Sequence, residues 1–321
     1  MAIPWTREDL AGHREAREHA ERAVAIPARR SRDWFGPAGL ARTPFQPPYN
    51  SHPSMIQPEA HSISGPRGPV AYERWGGGPP LLLLAGLGSR ARLWGELPRL
   101  LADRFTVLAP DNRGVGGSRG GEAFTLEGAA DDAALVLADA GVATVGVIGV
   151  SMGGLVACQL AIRHPERVER LVVASCGARL TPAHRRVLRF FEIAFTRLEP
   201  AEAAEAFMTF AFGASFADRF PGFVDQAAKL WTLDPEDRPG ALQQLAHLKA
   251  GWDLRPELAH IACPTLVLAG EHDPLVAPAA TRELAAAIPG ARYREVPHAA
   301  HSVLAEGGAA LLEEVIEFLT T

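Results

Sequence analysis

The chain has 321 residues, 47% hydrophobic and 21% charged: enough for one large α/β domain with an insertion or for two ordinary domains, and too apolar for extensive disorder. A formal net charge of −5 offers no broad electrostatic footprint for nucleic acid or an anionic membrane, so neither is expected as a partner. The three cysteines, Cys158, Cys176 and Cys263, sit in apolar runs outside any C-x-x-C spacing; they read as reduced core residues and argue against a disulfide framework or a zinc site.

Residues 1–56 differ in character from the rest. The opening "MAIPWTREDLAGHREAREHAERAVAI" is charged throughout and lacks the apolar stretch of a signal peptide. No apolar run, "PPLLLLAGLG" included, is long enough to span a bilayer, and a cytoplasmic location is the expectation. Thr6 and Asp9 can cap a helix running to Ala25. The Pro-, Gly- and Arg-rich stretch that follows reads as an extended arm, anchored by Trp34, Phe35, Phe45 and Tyr49.

From residue 57 the pattern becomes strands and helices in alternation. "EAHSIS" and "PVAYERW", split by the turn "GPRG", predict a hairpin. "PLLLLAG", "RFTVLAPD", "TVGVIGV", "VERLVVAS" and "PTLVLAG" are apolar runs suited to strands buried on both faces, with "ARYREVP" as the last strand. Helical spacing marks Leu126–Ala140, Gly153–His164 and a terminal helix from Val303 to Leu319. This alternation predicts a mostly parallel sheet with helices on both faces, built from residues 57–177 and 256–321. The segment 178–255 has helical periodicity and no convincing strand, so it reads as a helical cap inserted over the carboxyl edge of the sheet.

The chemistry gathers at that edge. In "GVSMG", Ser151 sits between an apolar strand and a helix, the setting of a nucleophile elbow. Gly149 and Gly153 are expected because larger side chains would collide with the flanking strand and helix. A serine hydroxyl needs a base and an orienting acid. "LAGEHDPLVAP" and "VPHAAHSVLAE" each follow a strand and supply them: Asp273 is favoured over Glu271 as the acid, and His301 over His298 as the base. The remaining histidines read as surface groups. The backbone N–H of Met152, next after the serine, and that of Leu87 in the Gly-rich loop "AGLGS" are candidate oxyanion donors. "APDNRGVGGSRGG" fits no phosphate-binding fingerprint; Asp111 and Arg113 are expected to pair and hold this loop. No metal-ligand spacing is evident.

Taken in order, "LLLLAGLGS", "PDNRGVGGS", "GVSMGG", "HPERVERLVV", "CPTLVLAGEHDPLV" and "VPHAAHSVLAE" resemble the α/β-hydrolase fold superfamily in its helical-capped branch, from about residue 60 onward. Within it the chain is most similar to small-molecule esterases and lactonases of the 3-oxoadipate enol-lactonase-like group. The resemblance implies a triad of Ser151, Asp273 and His301, an oxyanion hole at Leu87 and Met152, and no cofactor or metal. It also implies hydrolysis of an ester or lactone of a small to medium apolar molecule through an acyl-enzyme. Two rivals are a non-hydrolytic reaction on the same triad (C–C cleavage, cyclisation or perhydrolysis) and a ligand-binding protein with a vestigial triad. Phe191, Phe210 and Trp231 of the cap are candidate pocket residues. A homodimer is a further expectation. The chain departs from the family in carrying Ala85-Gly86 where His-Gly is usual, so the bracing of the first oxyanion loop is expected to differ.

Overall fold

The computed structural model describes residues 57–321; the expected N-terminal helix and arm of residues 1–56 lie outside the described residues. The hairpin forms as β1 (Glu59–Gly65) and β2 (Gly68–Trp75), paired antiparallel from Glu59 opposite Arg74 to Gly65 opposite Gly68. Six further strands follow: β3 (Pro80–Leu84), β4 (Thr106–Pro110), β5 (Val145–Val150), β6 (Val168–Ala174), β7 (Thr265–Gly270) and β8 (Arg292–Val296). Their order in the sheet is β1-β2-β4-β3-β5-β6-β7-β8, antiparallel as far as β4 and parallel beyond it.

The unbroken apolar runs are explained by helices on both faces. Leu81 and Leu83 of β3 pack into one layer with Leu101 and Val315, from helices Leu97–Leu101 and Gly308–Thr320. Leu82 and Leu84 point the other way, into the layer of Leu137 and Leu160, from helices Leu126–Asp139 and Met152–Arg163. Each such leucine contributes about 1.5–3 kcal/mol on burial. A single short strand therefore binds both helical layers to the sheet.

Between β6 and β7 lies a helical insertion: Pro182–Arg197, Pro200–Ala211, Ala214–Arg219, Pro221–Trp231 and Arg238–Ala250. Three of these helices start on proline, whose missing N–H costs nothing at a first helical position. The insertion closes on itself at its neck. Leu180 N–H donates to the Trp252 carbonyl and Leu254 N–H to that of Ala178, both at 2.9 Å, beside an isolated bridge between Arg179 and Asp253.

Two details differ from the sequence reading. The terminal helix is broken into Val303–Glu306 and Gly308–Thr320, because Gly308 takes φ +65°. Asp111 and Arg113 do not pair. Arg113 makes a two-pronged ion pair with buried Asp132, at 2.6 Å on each prong, while Asp111 accepts from Ala91 and Gly117 N–H. Among the described residues no helix is long and apolar enough to cross a membrane.

The connectivity fixes where a ligand can bind. From β3 the chain steps to β4 on one side and then returns to β5 on the other, so the loops leaving β3 and β5 diverge. A crevice outside the carboxyl ends of these strands is the ligand site of open α/β sheets. Gly86–Ser89 leaves β3 there, and Ser151 leaves β5.

Candidate active site

Ser151 stands at φ 57° and ψ −122°, between β5 and the helix Met152–Arg163. A non-glycine residue in such a region stores about 1–3 kcal/mol of strain, which the turn tolerates because its neighbours are bare. A Cβ on Gly149 would lie 2.4 Å from the Gly153 carbonyl oxygen, and one on Gly153 would lie 2.0 Å from that of Leu84. The collision expected from the sequence is thus present at both positions. The result is a serine side chain that does not cap its own helix and instead lines a cavity.

That cavity has a volume of about 70 Å³ and is walled largely by apolar side chains, among them Leu155, Leu188, Phe191, Leu248 and Leu275. Its polar lining comprises Ser151, Ser175, His184 and His301. His301 Nδ1 lies 2.8 Å from Asp273 Oδ2, and the Asp273 side chain is almost fully buried. The other oxygen of that carboxylate accepts from the N–H groups of Leu275 and Val276, at 2.9 Å each. The Asp-Pro loop therefore forms an Asx-type turn and offers its second oxygen to the imidazole in the same geometry. An Nδ1–H given to Asp273 leaves the lone pair on Nε2. Among the described residues Ser151 Oγ makes no hydrogen bond, so the two side chains share the cavity without being joined; such bonds are often long until a substrate arrives.

The backbone carrying His301 is held as well. Ser175 Oγ donates to the His301 carbonyl at 2.8 Å, and Ser302 N–H donates to the Ala211 carbonyl of the insertion at 2.8 Å. Glu306 joins the same parts, accepting from Ala300 N–H and from Gly213 N–H at 2.8 Å each. Burial raises the carboxyl of Glu306 above its ordinary pKa, although both backbone donors oppose this.

Leu87 and Met152 line the cavity beside Ser151, and neither N–H is spent on an acceptor among the described residues. The loop carrying Leu87, which lacks the usual histidine, is braced from two sides. Asn112 Nδ2 donates to the carbonyls of Ala85 and Gly86, at 3.2 and 2.6 Å. Fully buried Gln244, on the insertion helix Arg238–Ala250, accepts from Gly88 N–H at 2.7 Å and donates to the Arg113 carbonyl at 2.8 Å.

The structure separates the candidates that the sequence left open. His298 and Glu271 lie outside the cavity; the His298 side chain is 80% exposed, and its backbone N–H is bound by Glu271. With His272 they bring three groups of metal-ligand type within 4.8 Å of one another on the exposed surface, a grouping that linear spacing did not reveal. Phe191 lines the cavity, whereas Phe210 and Trp231 do not. Both are consumed in packing within the insertion: Phe210 meets Phe190 edge-on at 5.0 Å, and Trp231 stacks on Phe207 at 4.3 Å. The expectation that the remaining histidines sit on the surface fails for His184, which is 5% exposed and lines the cavity.

Comparison with known proteins agrees with this fold. Residues 79–308 match the family model for the alpha/beta hydrolase fold. The enol-lactonase of Burkholderia xenovorans LB400 superposes with a TM-score of 0.72 at 31% identity, covering 81% of this chain and 100% of that one. A hydrolase from Pseudomonas aeruginosa PA01 gives a TM-score of 0.72 at 30% identity, covering 82% and 98%. The RutD protein of Azorhizobium caulinodans, provisionally named a carbamate hydrolase, is 33% identical over 240 residues, covering 72% of this chain and 87% of its own.

Proposed function

Since the chain belongs to the α/β-hydrolase fold family, we propose that it is a serine hydrolase cleaving a small ester or lactone through an acyl-enzyme on Ser151. The observation that carries the reading is the Asp273–His301 hydrogen bond, which ends in a cavity also lined by the strained Ser151. The enol-lactonase similarity supports the substrate class.

In this reaction His301 Nε2 takes the proton of Ser151 Oγ as that oxygen attacks the carbonyl carbon. The carbonyl π electrons move onto oxygen, where the Leu87 and Met152 N–H groups hold the charge. The intermediate collapses, the C–O bond to the alcohol breaks, and the alcohol leaves with the proton held by His301. Water then repeats the sequence on the acyl-enzyme, giving up a proton to His301 and releasing the acid and free Ser151. Asp273 keeps the imidazole in the tautomer that accepts at Nε2 and stabilises the imidazolium.

The test is twofold. Wild type should cleave a chromogenic short-chain ester with a burst, and Ser151→Ala should lose about 10⁴-fold or more in rate. A serine-directed phosphonate should label Ser151 stoichiometrically, as shown by peptide mapping. Undiminished activity in Ser151→Ala, or a wild type that neither labels nor turns over, rules out the proposal; the second result would leave a binding protein built on the same fold.

A further inference from the structure

One polar side chain in the cavity has no part in the reaction just described. Ser151 and His301 carry the chemistry, Ser175 Oγ is committed to the His301 carbonyl, and Trp252 Nε1 donates to the Gly177 carbonyl at 3.2 Å. His184 remains. It sits in the first turn of the insertion helix Pro182–Arg197, its ring stacked against Trp252 with centroids 5.7 Å apart. Its Nδ1 is 3.2 Å from the Arg179 carbonyl and 3.4 Å from Thr181 N–H. Both contacts fall on the same ring nitrogen, and Nε2 has no hydrogen-bond partner among the described residues. A neutral ring that gives its Nδ1 proton to the nearer carbonyl carries its lone pair on Nε2. Burial is the largest influence on its protonation and holds its pKa below the ordinary 6.5, so the ring does not offer a cation to a carboxylate. What it offers is a neutral acceptor in an otherwise apolar wall. The cavity around it is small, about 70 Å³, and lined mostly by apolar side chains.

We propose that His184 Nε2 is the specificity-determining contact for a hydroxyl carried on the acyl portion of the substrate, which makes small hydroxyacyl esters and their lactones the preferred class. The inference rests on the serine-hydrolase reading for its catalytic readout, and a binding readout keeps the two separable. Nitrophenyl esters of pentanoic acid and of its hydroxylated forms, with the hydroxyl walked along the chain, are compared by kcat/KM. In wild type at least one hydroxylated ester should exceed the plain ester by about tenfold, the size of one satisfied buried hydrogen bond. His184→Phe keeps a flat ring against Trp252 and should bring that ratio to about one. His184→Asn places an amide where Nδ1 stands, keeps the bond to the Arg179 carbonyl, and should abolish the preference in the same way; it serves where the phenylalanine variant does not fold. In parallel, calorimetry with matching hydroxylated and plain methyl ketones, which have no leaving group, should show the same preference and the same loss. Absence of a preference at every hydroxyl position, or a preference that survives both substitutions, overturns the proposal. If no ester is cleaved but the ketone preference depends on His184, the catalytic reading alone has failed.

Discussion

Replacing Gln244 with alanine tests whether the insertion sets the geometry of the Leu87 loop, to which the proposed reaction assigns an oxyanion donor. The residue is completely buried and its amide makes two bonds, from Gly88 N–H at 2.7 Å and to the Arg113 carbonyl at 2.8 Å. Truncation leaves one donor and one acceptor without partners, at about 1–3 kcal/mol each, so roughly 2–6 kcal/mol in sum. Against the 5–15 kcal/mol typical of a domain, the variant should fold with a clearly lowered urea midpoint. The loop keeps one brace, because Asn112 still holds the Ala85 and Gly86 carbonyls. Leu87 N–H, one residue from the lost anchor, is therefore loosened and not removed. Complete loss of an oxyanion donor costs about 10²–10³ in kcat, so a loosened one should cost about 10- to 100-fold. The contact matters only once charge develops on the carbonyl oxygen, so KM should stay within about twofold of wild type. Steady-state kinetics on a chromogenic ester and urea denaturation read the two effects separately. A variant that loses stability but keeps its kcat would show that Asn112 alone sets the loop, and the argument would be wrong.

Three other outcomes follow from the same geometry. Asp273→Asn preserves the shape of the acid but no longer holds His301 in the accepting tautomer; kcat should drop by about 10⁴ while circular dichroism is unchanged, and a drop of less than tenfold would contradict the role. Gly153→Ala puts a Cβ 2.0 Å from the Leu84 carbonyl oxygen, a backbone atom that no rotamer change can clear; the protein should fail to accumulate in soluble form, and a soluble, active variant would show that the elbow has room. His184 and His247 are both held below their ordinary pKa of 6.5, chiefly by burial, and His247 Nε2 must be unprotonated to accept from Leu126 N–H. The unfolded chain thus takes up these protons first, so stability is full above pH 6.5 and falls as pH drops through that value toward the folded-state pKa values. The urea midpoint should decline on acidification through this window, and less steeply in His247→Gln; parallel slopes for the two proteins would refute the assignment. Glu73 and Glu306, raised by burial, act in the opposite sense nearer the carboxylate range, which is why the difference between variant and wild type is the quantity to read.

The sequence and the structure agree where chain connectivity decides the geometry. Unbroken apolar runs require helices on both faces of the sheet, and helices between parallel strands force the loops after β3, β5, β7 and β8 to one edge. That alone is enough to bring Leu87, Ser151, Asp273 and His301 to a common side. Which of His298 and His301 turns inward was not decidable from adjacency: His298 adopts φ +62° and swings its ring to solvent, while the His301 carbonyl is pinned by Ser175 from the end of β6. The cavity wall was the least legible part, for a different reason. Its residues come from faces of the insertion helices, and those faces are chosen by how the helices pack on one another. Phe210 and Trp231 satisfy each requirement for a pocket aromatic except that other aromatics reach them first. The reverse happened at His184 and Gln244. A histidine three residues after a threonine reads as a capping-box partner, yet the Nδ1 of His184 lies nearer to the Arg179 carbonyl than to Thr181 N–H, and its inward ring is visible only once Trp252, sixty-eight positions later, is stacked on it. Gln244 looks like one polar position in a weakly patterned helix until Gly88 and Arg113 arrive from two other loops. Chemistry carried by strand ends is thus readable along the chain. Selectivity carried by an inserted helix face depends on pairings distant in sequence, so the substrate must be read from the folded pocket and not from the motifs that announce the reaction.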